Sequence, residues 1–208
     1  MLNKIITKQE QEALTPDAVL KDLIEGNKRF TSDDFHSRDH NAMKNSAVGG
    51  QYPKAVILSC VDSRLPVETI FDQGIGDVFV ARIAGNFENT DMLGSMEYAC
   101  KVAGSKLVFV LGHESCGAVS AACDGVELGN ITHMLSNIKP AVEATKTDGK
   151  RDSSNKDFVH NVVEKNVELT IMRIRQKSPI LKNMEDKDEI KIVGGVYSLQ
   201  TGEVKLLS

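Results

Sequence analysis

The sequence predicts one α/β domain: a mostly parallel central sheet of about four strands, an antiparallel strand at one edge, flanking helices and an N-terminal helical arm. Three observations predict it. Short apolar runs at residues 55–59, 78–80 and 107–111 alternate with longer segments of helical pattern, the order that builds parallel sheets from crossover units. Residues 107–111 are apolar throughout, as strands covered on both faces are. A chain of 208 residues with 41% hydrophobic and 26% charged residues suits a single domain with a real core.

Residues 1–50 are expected to form the arm and residues 51–208 the core. Thr15-Pro16 reads as a helix start, a capping hydroxyl followed by proline at the first helical position. Leu20, Leu23, Ile24 and Phe30 then give an apolar stripe. A polar stretch with His36 and His40 follows, and Gln51-Tyr52-Pro53 leads into a first strand over 54–60. Residues 77–83 read as a second strand. Thr90 is expected to cap a helix carrying Met92, Met96, Tyr98 and Ala99.

A third strand covers 106–111, and Cys116 opens a helix of small residues. Another helix is expected over 131–144, disturbed by Pro140. Residues 146–156 read as a polar loop. Ser154 and Asp157 have capping-box spacing for a long helix that ends before Pro179. Val159, Val162, Val163, Val167, Ile171 and Ile174 surround much of that helix. It must be broadly buried, inside the domain or against a second subunit. Residues 190–199 and 203–207 read as a hairpin around Thr201-Gly202.

A net charge of −4 leaves no basic footprint for nucleic acid. No apolar run is long enough to span a membrane, and residues 1–15 lack the apolar segment of a secretory leader. A cytoplasmic setting is expected. Cysteines there more often bind metal or catalyse than form disulfides. Cys100 and Cys123 stand at no metal spacing and read as free structural thiols. No Cys-x-x-Cys, Walker sequence or complete dinucleotide fingerprint is present.

Two short motifs carry the chemistry, Cys60-Val61-Asp62-Ser63-Arg64 and His113-Glu114-Ser115-Cys116. Each follows an apolar strand run. Neighbouring parallel strands would bring both to the same sheet edge, where open α/β sheets bind ligands. Two thiolates, an imidazole and a carboxylate from Cys60, His113, Cys116 and Asp62 make the ligand set of tetrahedral zinc. Asp62 and Arg64 point beyond a purely structural zinc, which would need only closing ligands.

These motifs, with Val110-Leu111-Gly112 ahead of His113 and Gly117 after Cys116, resemble the β-class carbonic anhydrases. The resemblance is closest over residues 51–119 and continues loosely through most of the chain. It implies Zn2+ held by Cys60, His113 and Cys116, with water or Asp62 in the fourth position. It implies reversible hydration of carbon dioxide to bicarbonate by a zinc-bound hydroxide oriented by the Asp62–Arg64 dyad. Two thiolates neutralise the zinc formally, so turnover should rise toward alkaline pH. The resemblance also assigns Gln51, Phe79 and Tyr98 to the substrate cleft, partly from a neighbouring subunit, and implies a homodimer or homotetramer. Some members carry a regulatory bicarbonate pocket that uses a tryptophan three residues before the first zinc cysteine. Ile57 stands there in this chain, although Arg82, another position of that pocket, is present. An open, water-bound zinc is expected. Hydrolysis of carbonyl sulfide or carbon disulfide by the same catalytic set is the competing enzymatic reading, and a bicarbonate-sensing protein the non-enzymatic one. Any of His36, His40, His133 and His160 could shuttle protons.

Overall fold

The computed structural model describes residues 1–207, and among them five strands form one sheet. They are β1 (Ala55–Ser59), β2 (Val78–Arg82), β3 (Leu107–His113), β4 (Lys191–Tyr197) and β5 (Val204–Leu206). Their order is β2-β1-β3-β4-β5, with the first four parallel and β5 antiparallel at the edge. This is the expected architecture. Every residue of β1 and β3 is buried, which explains why both read as unbroken apolar runs.

Alternate residues of the central strands serve two cores. Val56, Leu58, Val108 and Val110 face one, and Ala55, Ile57, Leu107 and Phe109 face the other. The second core lies under α2 (Pro16–Thr31) and α4 (Val67–Ile70), which supply Val19, Leu23, Val67 and Ile70. The first core lies under α9 (Lys156–Lys177), which buries Phe158, Val162, Val163, Val167 and Ile174. The wide apolar girth of α9 is therefore absorbed inside the domain. Gly112 and Gly194 let α9 approach: an added Cβ at Gly194 would lie 2.4 Å from Val167 Cγ1.

The arm begins with α1 (Lys8–Glu12) and α2, followed by α3 (His40–Ser46). Thr15 caps α2 as expected, accepting from Ala18 N. Two capping assignments differ from expectation by one residue. Asn89, not Thr90, caps α5 (Thr90–Glu97) by accepting from Met92 N at 2.9 Å. Asn155, not Ser154, caps α9 by accepting from Phe158 N at 3.1 Å. An asparagine stands just before each start, and its side chain reaches the same donors. The helix expected over 131–144 is two helices, α7 (Gly129–Ser136) and α8 (Lys139–Ala144), with Pro140 in the first turn of α8. Proline fits a first turn because no intrahelical donor is needed there.

Three further helices went unforeseen: α1, α3 and α10 (Pro179–Asp186), besides the single turn α4. The small-residue helix is α6 (Gly117–Cys123). No helix is long and apolar enough to cross a membrane among the described residues.

Candidate metal centre

The chain leaves β1 for α4 and β2 on one side, and leaves β3 for β4 on the other. The β1–β3 boundary is thus the switch point of the sheet, and open α/β sheets bind ligands at such a point, beyond the carboxyl ends of the strands. Ser59 pairs in register with Leu111. Cys60, the next residue, therefore leaves β1 beside the last residues of β3, which ends at His113. A tight turn through Ser115, with φ 53°, carries the chain from His113 to Cys116 at the start of α6.

Cys60, His113 and Cys116 bring one ligand atom each within 4.8 Å of one another, and all three residues are buried. The two sulfurs lie 3.9 Å apart. Two thiolates on one tetrahedral zinc, each bonded at about 2.3 Å, stand about 3.8 Å apart. His113 Nδ1 lies 2.9 Å from Glu114 O. Donation to that carbonyl fixes the tautomer and leaves the Nε2 lone pair for a metal. His113 Nε2 is buried and has no hydrogen-bond partner, a costly arrangement unless something accepts that lone pair. The residues therefore fit zinc.

The two sulfurs are close enough to share a hydrogen bond. The hydrogen bond from Cys116 pulls the Cys60 thiol far below its ordinary range, with help from the Gly85 amide. The same bond, together with burial, pushes Cys116 up. A dication would take the place of that shared proton, since thiolate is the ligating form.

Asp62 lies beside the cluster without joining it. Arg64 grips it with a two-pronged pair, Nε to Oδ1 at 2.9 Å and Nη2 to Oδ2 at 2.7 Å, and its backbone N–H adds a third bond at 3.0 Å. The Arg64 side chain holds the Asp62 carboxyl well below the usual carboxylate range, against the opposing effect of burial. Asp62 Oδ2 stays 4.0 Å from His113 Nε2, so the carboxylate stands beside the ligands while Arg64 holds it, with acceptor capacity left over.

Arg82 was singled out in the sequence only through its position. It donates Nε to Cys60 O at 2.9 Å and Nη2 to Asp62 O at 2.6 Å. Those two bonds fasten the Cys60–Asp62 loop to the end of β2.

A cleft of about 750 Å³ runs along β2 from Arg82 to Phe79 and Tyr98. The two rings meet edge to face at 6.2 Å. Tyr98 is 53% exposed, at the point where α5 passes into a π-helical turn over Tyr98–Val102. Gln51 is not brought there. It precedes β1, at the far end of that strand from Cys60. Cys100 and Cys123 are buried and free, as expected; burial pushes the first up to about 12 and the second to about 11.

Comparison with known proteins agrees with this geometry. The family model described as carbonic anhydrase matches residues 55–204. Carbonic anhydrase 2 of Mycobacterium tuberculosis is 36% identical over 200 residues, covering 92% of each chain. The carbonic anhydrase of Mycolicibacterium smegmatis is 33% identical over 195 residues, covering 93% of this chain and 94% of that one. Among solved structures, a Coccomyxa β-carbonic anhydrase in complex with acetazolamide superposes with a TM-score of 0.70 at 27% identity. That match covers 90% of this chain and 86% of the other.

Proposed function

Given that this chain belongs to the β-class carbonic anhydrases, which interconvert carbon dioxide and bicarbonate, we propose that it does so with zinc on Cys60, His113 and Cys116. The observation that carries the reading is the buried Cys-His-Cys cluster with an orphaned imidazole nitrogen. Bound zinc would supply Lewis acidity, making a hydroxide nucleophile increasingly available as pH rises.

The protein's own groups supply the rest. Asp62, kept ionised by Arg64, would accept a hydrogen bond from the O–H of the nucleophile and so fix which lone pair faces the carbon of the substrate. The Arg64 fork also holds Asp62 off the ligand cluster, leaving the fourth position open. Arg82 keeps the Cys60 and Asp62 carbonyls in register, so ligand and acceptor stay at a fixed separation. Phe79 and Tyr98 line an apolar cleft along β2 that includes Arg82 and none of the three ligands, so their substrate role rests on the family resemblance.

We also propose that the active unit is a homodimer or homotetramer. β2 is a sheet edge with unpaired backbone groups, a feature that proteins generally cover. Gln51 reaches a substrate cleft only if a second subunit carries it there. Two thiols 3.9 Å apart call for a compartment that keeps them reduced, which suits the cytoplasm.

The test is stopped-flow hydration of carbon dioxide from about pH 6.5 to 9 on protein of verified zinc content. Chelator-sensitive turnover that rises with pH is expected. One zinc per chain with no turnover at any pH would refute the reading.

A further inference from the structure

One face of α9 grips the loop that follows β2. Asn166, Thr170, Arg173 and Lys177 recur three or four residues apart, on one side of the helix. Asn166 donates Nδ2 to Gly85 O at 2.8 Å. Arg173 Nε lies 2.9 Å from both carboxylate oxygens of Glu88, and its Nη2 donates to Thr170 Oγ1 at 3.2 Å. Lys177 Nζ donates to Glu88 Oε1 at 2.8 Å. Glu88 is buried, so its charge depends on these partners.

Between β2 and these anchors the backbone turns through two left-handed residues, Gly85 at φ 82° and Asn86 at φ 42°. The turn aims the Gly85 N–H at Cys60 Sγ, 3.4 Å away. Asn166 thus holds the carbonyl of the residue whose amide meets the sulfur.

Asn166 is a costly choice for packing alone. It is buried among the valines of α9, and its Oδ1 has no hydrogen-bond partner. An apolar residue there would avoid the penalty of an unpaired amide oxygen. What asparagine adds is the bond to Gly85.

We propose that Asn166 is a positioning residue for the Cys60 sulfur, acting through the Gly85 amide. The bond would fix the direction of the sulfur lone pairs and draw part of the thiolate charge away from a bound metal, as hydrogen-bond partners of metal ligands do. The inference rests on the metal-binding reading of Cys60.

The first experiment uses the wild-type chain loaded with cadmium-113 and labelled with nitrogen-15. A hydrogen bond to a metal-bound sulfur transmits scalar coupling, so the Gly85 amide proton should couple to cadmium. In Asn166→Leu the coupling should vanish, and zinc affinity by chelator competition should fall about tenfold. Asn166→Ala, which adds no bulk, carries the same expectation should the leucine variant fail to fold. Ile171→Ala loosens α9 where it packs on Gly194 of β4, away from the loop, and should retain the coupling. Bound cadmium with no coupling at Gly85 would overturn the inference and leave the metal site standing. So would coupling that survives in the Asn166 variants, or that Ile171→Ala abolishes equally. Failure to retain cadmium or zinc at one per chain would instead overturn the metal-binding reading, and this inference with it.

Discussion

Gly85→Ala should destabilise the chain through two separable effects at one atom. Gly85 sits at φ 82°, and a Cβ there would lie 2.4 Å from Ile138 Cδ1. Left-handed backbone costs an L-residue about 1–2 kcal/mol, and forcing a methyl into a packed core costs about 1–3 kcal/mol. The sum is about 2–5 kcal/mol. An unfolding entropy of about 2.1 cal/mol/K per residue over 208 residues converts this to a fall in Tm of ~5–11 °C. Ile138→Val removes the clashing Cδ1 and by itself costs about 0.5–1.5 kcal/mol. The next neighbours of the added methyl are then Ile138 Cγ1 at 3.3 Å and Ala118 Cβ at 3.5 Å, contacts that a small shift relieves. The double variant should therefore be more stable than the two single costs predict, by about 1–3 kcal/mol, with the backbone strain remaining. Urea unfolding of the four proteins, followed by circular dichroism, measures the cycle. Additivity within about 0.5 kcal/mol would refute the clash. A Gly85→Ala variant as stable as wild type would refute both effects.

Arg64→Ala should keep one zinc per chain yet lose about a hundredfold or more in turnover, because Asp62 loses its fork and is free to close on the metal; near-wild-type stopped-flow rates would end that account. Cys60→Ser should lower zinc affinity at least tenfold by chelator competition, and equal affinity would remove Cys60 from the ligand set. Asp72, whose side chain is fully buried, pairs with Arg29 and Arg38. Asp72→Asn should cost about 3–5 kcal/mol, since it leaves both cations short of a partner. Burial alone would raise the Asp72 carboxyl, but the two arginines outweigh it and the net shift is downward. Its stabilisation is therefore complete above about pH 4 and disappears as pH falls through the lower folded value. Urea unfolding across that acid range should show a steeper loss in wild type than in the asparagine variant; parallel curves would contradict the pairing.

What could be read in advance follows the range of the forces involved. β1 and β3 were legible because strands buried on both faces need apolar residues at every position. The ligand cluster followed, since both motifs begin where those runs end. The unforeseen helices carry local signals: Thr7 and Glu10 form a capping box for α1, and Ser178-Pro179 starts α10. The caps of α5 and α9 lie one residue from the expected position, a choice between adjacent polar side chains that composition alone does not decide. The support around the site is of another kind. Arg82 is 22 residues from Cys60, Asn166 is 81 from Gly85, and Arg173 is 85 from Glu88. Each partner is chosen by the crossover that lays α9 or β2 beside the switch point, and no local pattern encodes that choice. A buried asparagine in a run of valines is the trace it leaves. Such a residue is a polar cost in the sequence, and only the fold identifies the carbonyl that repays it. The candidate ligands are thus set by residue type at two strand ends. Their orientation is set by residues distant in the chain that share a helix face or a strand end. A change at Asn166 or Arg82 should accordingly alter how the metal is held while leaving its ligands intact.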